Sequence, residues 1–187
     1  MILYFLIHLF FDAYLLLVLL RLVFQYLRVD YYHPLSQFVV KATSMAVTPL
    51  RRWIPGYGDI DMATVVLLVG VVFAKVVIGS LVLFHKFPSL SAIFLWGLGE
   101  VGKNSLKLFF YAVLAQSVFS YLPAMRQSTL APLLQQITSP IFSRVRRYIK
   151  PYKGYDLAPI ALLLGLQLCE TLIFGSLIAA GKQLAKF

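Results

Sequence analysis

Four ionisable residues stand inside otherwise apolar stretches of this chain: Asp12, Lys75, Lys107 and Glu170. These are the types that pair, relay protons or line ion paths where water is scarce. An isolated charge at mid-bilayer costs at least about 2.5 to 3.5 kcal/mol, so it persists only with a partner or water. The spacing makes the four a set. Asp12 and Lys107 are 95 positions apart, as are Lys75 and Glu170, and each pair has opposite signs. Counted at 1.5 Å per residue from the ends of their helices, all four lie about 20 to 22 Å from one face of the bilayer. Mutual pairing in the bundle interior is the economical arrangement, with Glu170 and Asp12 both open as partners of Lys75. The alternative is that Lys75 and Lys107 snorkel to the nearer headgroups.

Other chemistry is not signalled. There is no zinc-ligand spacing, no glycine-rich phosphate loop and no nucleophile signature, and His8, His33 and His85 are scattered and read as interface or loop residues. The one cysteine, Cys169, sits in an apolar run, which leaves no intrachain disulfide and no cysteine-based metal site. The chain is therefore expected to be no enzyme, with no catalytic, cofactor or metal residues.

The elements that must position the charges follow from composition. Of 187 residues 60% are hydrophobic and 13% charged, with a mean hydropathy of +0.84, against about 25% charged in soluble domains. This is an all-α membrane protein. The spacing predicts four spans, at residues 2–27, 62–84, 103–122 and 157–181. The first is no cleavable signal, since it lacks a basic leading segment and a small-residue cleavage site. The formal charge of +10 reflects loops held at anionic phospholipid headgroups, not nucleic acid.

Two of those loops read as interfacial amphipathic helices. In the first, Pro34 suits a first helical turn, and Phe38, Met45, Ala46, Leu50 and Trp53 fall near helical spacing, with Arg51 and Arg52 turned to lipid phosphate. Pro49 is expected to bend or end that helix. A turn at Pro55-Gly56-Tyr57-Gly58 leads to Asp61, a helix cap whose carboxylate accepts from orphan amides. After Pro123 the pattern returns, with Pro132 near the start, Leu134, Ile137, Ile141, Val145 and Tyr148 on one face, Arg126, Arg144, Arg146, Arg147, Lys150 and Lys153 among the polar residues, and Asp156 as the cap. Residues 85–101, with Gly97, Gly99 and Glu100, read as a connecting segment, interfacial or an N-terminal extension of the third span.

The return is a repeat. Thr43-Ser44, Arg51-Arg52, Asp61-x-Ala63 and Gly70 recur in register as Thr138-Ser139, Arg146-Arg147, Asp156-x-Ala158 and Gly165. Each unit holds two spans, so both enter from the same face and the repeat is parallel. The first unit covers 1–84 and the second 102–187.

These residues resemble the YggT family of small integral membrane proteins, including its YlmG-type relatives. The resemblance lies in the (His or Ala)-Pro entry, the Thr-x-Pro-x-x-x-Pro-x-Arg-Arg run and the Asp-x-(Ser or Ala)-Pro before a span, with each copy keeping a different subset: the first has Met45 and Thr64 in place of the early and the last proline, and the second keeps Pro140 and Pro159 but has Arg144 in place of the later proline of the run. It implies a role in osmotic tolerance, at the division site or in membrane-complex assembly, and no catalytic mechanism.

Basic residues concentrate in the two motif loops, which puts those loops in the cytoplasm and both termini outside a bacterial inner membrane. Small residues at Gly70, Ala74, Gly79, Gly165, Gly175 and Ala179 suit close helix contact, with other membrane proteins or a second copy. The expected function is a non-enzymatic assembly, scaffolding or osmotic stress factor. The alternative is an oligomeric ion- or proton-conducting channel or transporter built on the charge layer.

Overall fold

The computed structural model describes residues 2–56, 61–122, 128–149 and 156–186, and among them the chain is all helix. In order these are α1 (Ile2–Tyr26), α2 (Pro34–Arg51), α3 (Met62–Phe84), α4 (Leu90–Tyr121), α5 (Leu130–Tyr148) and α6 (Ala158–Leu184). α6 contains one π-helical turn, Glu170–Phe174. Of the Pro55–Gly58 turn, residues 57 and 58 lie outside the described residues, as do Pro123, Arg126, Lys150 and Lys153.

Three helices are long and apolar enough to cross a membrane: Tyr4–Tyr26, Met62–Phe84 and Ala158–Leu184. α4 is not among them by apolarity, because Glu100, Lys103, Asn104 and Lys107 interrupt its middle. At 32 residues it is about 48 Å long. It joins the segment expected to connect the repeats to the span expected at 103–122, and no break separates them.

Local signals set the boundaries. His33 precedes α2 in an extended conformation, and its Nδ1 accepts from the Leu35 N–H at 3.2 Å, while Pro34 fills the first turn. Pro49 leaves the helix intact until Arg51, because it sits in the last turn. Ser89 caps α4 by accepting from the Ala92 N–H at 3.3 Å. α3 stops where His85 takes the left-handed conformation, φ 53°.

α1, α3 and α4 enclose the main core around Leu15, Val18, Leu68, Val72, Val76 and Trp96. A smaller cluster of Val113, Phe142, Ala158 and Leu162 joins α4, α5 and α6. α4 meets α6 backbone to backbone: a Cβ at Gly181 would fall 2.5 Å from the Trp96 nitrogen. Of the glycines expected to serve contact, Gly70 and Gly165 face nothing within 4 Å and Gly79 packs against His8 and Trp96; Gly99 and Gly102, which were not among them, lie under Ile178 and Phe174.

α2 is fastened to α1 by a face that the apolar spacing did not single out. Val39, Thr43 and Val47, spaced by four, are buried, while Phe38, Met45 and Trp53 are exposed. The cause is polar. Arg21 on α1 donates from Nη1 to Thr43 Oγ1 at 2.7 Å and to the Val40 carbonyl at 3.3 Å, so the helix turns its threonine inward. α5 buries Leu133, Ile137, Thr138 and Phe142, leaving Tyr148 exposed, and Thr138 is hydrogen-bonded to Gln116 of α4.

Candidate functional site

The polar centre of the bundle is built on spacings of four. Tyr4, His8 and Asp12 share one face of α1, Lys75 and Gly79 one face of α3, and Trp96, Glu100 and Asn104 one face of α4. Lys75, only 1% exposed, donates through Nζ to Asp12 Oδ1 at 2.5 Å and to Glu100 Oε2. Glu100, 2% exposed, also accepts at Oε1 from the Trp96 indole N–H at 3.1 Å. Asn104 Nδ2 bridges the two acids' helices, donating to Asp12 Oδ1 at 3.3 Å and to the Glu100 carbonyl at 2.9 Å. One ammonium thus ties three helices together.

Above the trio, His8 stacks against Tyr4 with ring centroids 4.1 Å apart. Its Nε2 is buried, with no hydrogen-bond partner among the described residues. Gly79 makes room for it, since a Cβ there would sit 3.3 Å from that nitrogen. The Lys182 ammonium of α6 lies over the Trp96 and Tyr4 rings, 5.2 and 5.9 Å from their centroids. Two carboxylates against one lysine leave the trio formally negative when all three are ionised. Lys107 near Asp12 and Lys182 near Glu100 offset that charge through space.

Of the four residues expected to form the charge layer, the fold joins Asp12 and Lys75. Lys107 is an electrostatic neighbour of Asp12 without an ion pair to it, and Glu170 opens the π-helical turn of α6 with no ion pair to Lys75. The second acid is Glu100, from the segment expected to connect the two units. Its signal was there in Trp96, Glu100 and Asn104, a polar stripe on one helix face. His8, read as an interface or loop residue, belongs to the same centre.

The basic loop residues divide into two matched pairs. Arg51 donates to Asp61 Oδ2 from Nε at 3.1 Å and Nη2 at 2.5 Å, and Arg146 donates to Asp156 Oδ2 from Nε at 3.1 Å and Nη2 at 2.6 Å. Arg52 and Arg147 beside them are exposed. Asp156 also caps backbone, accepting from the Ala158 N–H at 3.0 Å. Asp61 makes no such side-chain cap: its carboxylate is taken by Arg51 and by the Thr64 hydroxyl at 2.7 Å. Burial pushes the Asp61 carboxyl up, but those hydrogen bonds and the charge of Arg51 outweigh it and hold it below the usual aspartate value. Asp156 is held low in the same way, its desolvation outweighed by Ala158 and Arg146.

Among the described residues no group of three or more His, Cys, Asp or Glu is placed to hold a metal ion. The profile of the CCB3/YggT family matches residues 1–82 and 95–177. An uncharacterized protein of Vibrio alginolyticus is 38% identical over 170 residues, covering 90% of this chain and 91% of the relative. One of Pseudomonas aeruginosa is 34% identical over 169 residues, 90% of this chain and 86% of the relative. The YggT protein of Escherichia coli K12, also uncharacterized, is 32% identical over 173 residues, 92% and 89%. No solved structure matches the chain.

Proposed function

The chain belongs to the CCB3/YggT family, and we propose that within it this membrane protein is a non-enzymatic assembly or scaffolding factor, with osmotic stress tolerance as its physiological setting. The observation that carries this reading is the bare flank of α6. Ile160, Leu164, Leu168 and Leu172 form an exposed ridge at spacings of four, and beside it Gly165 has open space where a Cβ would stand. The chain's own helices leave that surface to lipid or to another membrane helix, while its charges are used internally to hold α1, α3 and α4 together. A photo-reactive residue at Leu164 or Leu168 in native membranes tests it. A defined protein adduct that disappears on Gly165→Leu is expected, and adducts to lipid alone overturn the reading.

The architecture proposed with it is four spans in a tandem parallel repeat, α4 being the span that carries the charges, with α2 and α5 as amphipathic helices on the cytoplasmic face of a bacterial inner membrane and both termini outside. Its support is the recurrence of contacts in register: Arg51 with Asp61 and Arg146 with Asp156, Arg21 with Thr43 and Gln116 with Thr138, and two family-matched stretches of near-equal length. Anionic headgroups and other membrane proteins, or a second copy, are its proposed partners.

A second reading is favoured by the trio with its unpartnered histidine: an oligomeric conductor of protons or ions. Proton flux in liposomes containing only this protein, abolished by Glu100→Gln, is its expected result. No flux under a pH gradient removes it.

A further inference from the structure

A cavity of about 440 Å³ opens between the end of α1 and the two ends of α2. Its polar lining includes Arg21, Arg51, Ser36 and Tyr31, with Phe24 and Val40 on the apolar side. Arg21 is only 7% exposed, and no carboxylate of the described residues lies within ion-pair distance of it; the acceptors it has on α2, the Thr43 hydroxyl and the Val40 carbonyl, are neutral. Arg51 is paired with Asp61. Among the described residues two guanidiniums therefore share one carboxylate, and a buried cation is costly unless its charge is matched. Ser36 is 3% exposed, and its buried hydroxyl has no hydrogen-bond partner among the described residues.

The second half of the chain carries the same cavity without the charge. A space of about 270 Å³ is lined by Gln116, Phe119, Ala131 and Gln135, which stand 95 positions after Arg21, Phe24, Ser36 and Val40. At the positions of the first cavity's Arg21 guanidinium and Ser36 hydroxyl the second has an amide and a methyl, with the Ser120 hydroxyl where the first has Gln25. The backbone setting alone thus requires neither Arg21 nor Ser36.

We propose that the first cavity is a binding site for a phosphate group. A planar guanidinium matches phosphate oxygens in geometry as well as charge, the Ser36 hydroxyl supplies a further donor, and Phe24 and Val40 form an apolar wall against which the carbon part of a phosphate ester rests. The phosphate comes either from an anionic glycerophospholipid headgroup, since α2 is a candidate for the bilayer surface, or from a soluble phosphate. The site is independent of whether the protein assembles with others.

The test uses the full-length protein, delipidated in mild detergent. Phosphatidylglycerol and phosphatidylcholine are titrated separately and bound lipid is counted by native mass spectrometry; inorganic phosphate is followed by phosphorus NMR. Arg21→Gln and Ser36→Ala install the residues of the second cavity, and Lys41→Gln, exposed elsewhere on α2, is the control. The expected result is retention of phosphatidylglycerol over phosphatidylcholine, weakened about tenfold or more by Arg21→Gln and by Ser36→Ala and unchanged in Lys41→Gln. Displacement of the lipid by inorganic phosphate, or binding of phosphate alone with the same sensitivity to the variants, assigns the site to soluble phosphate. Binding of neither, or equal binding by the wild type and Ser36→Ala, overturns the proposal. Ser36→Ala removes only a hydroxyl, so it decides the matter if Arg21→Gln fails to fold.

Discussion

At the scale of the residue, Lys75 has two partners, and the consequence is measurable. Lys75→Leu strands the buried Glu100 and leaves the half-buried Asp12 unpaired, a change expected to cost about 3 to 5 kcal/mol. Combining it with Glu100→Leu or Asp12→Leu should cost less than the sum of the single changes, because the stranded charge is most of the penalty. Combining it with Glu170→Leu should be additive. Unfolding in mild detergent checks all three cycles, and coupling to Glu170 with none to Glu100 would contradict the trio. Asp61 gives the pH dependence. Its carboxyl is held below the ordinary value, so its contribution is complete above about pH 4, the unfolded aspartate value, and is lost as pH falls through the lower native one. Asp61→Asn should remove that acid-side slope and cost about 1 kcal/mol. Asp156→Asn should cost less, because its pair is solvated.

At the scale of the element, the helices differ in how tightly their backbones approach. Gly181→Ala would drive a methyl into the backbone at Trp96, a misfit expected to cost about 1 to 3 kcal/mol. Gly165→Ala meets no atom and removes a flexible residue from a helix, so it should be neutral or stabilising by up to about 1 kcal/mol. Thermal unfolding of the two variants separates them, and equal effects would mean that α4 and α6 are not in contact. The positions of the helices were legible in the sequence because their causes are local: apolar runs, Pro34 in a first turn, Asp61 and Asp156 ahead of spans. Their facing was less so. The inward face of α2 follows from Thr43 meeting Arg21, twenty-two positions away, a contact that apolar spacing alone does not show.

At the scale of the whole molecule, the 95-residue spacing of like residues explains both what the sequence disclosed and what it concealed. Register led directly to Asp12 and Lys75, because each has an ionisable counterpart 95 positions on. It hid Glu100, whose counterpart is Phe5, so the acid that completes the trio has no echo to announce it. The π-helical turn in α6 carries a different kind of information. Before it the copies align at 95, from Asp61 and Asp156 to Gly70 and Gly165; after it Gly79-Ser80-Leu81 aligns with Gly175-Ser176-Leu177 at 96. The turn stands where the spacing of like residues in the two halves changes from 95 to 96, and a wide loop of helix accommodates one extra residue while both flanks keep their facing. Removing Thr171 should restore the 95-residue spacing beyond the turn and leave α6 as an ordinary helix that still reaches the membrane folded. Removing Val72 from α3 should instead rotate everything beyond it by about 100° and abolish folding, and accumulation of the two deletion variants in membranes would tell the cases apart.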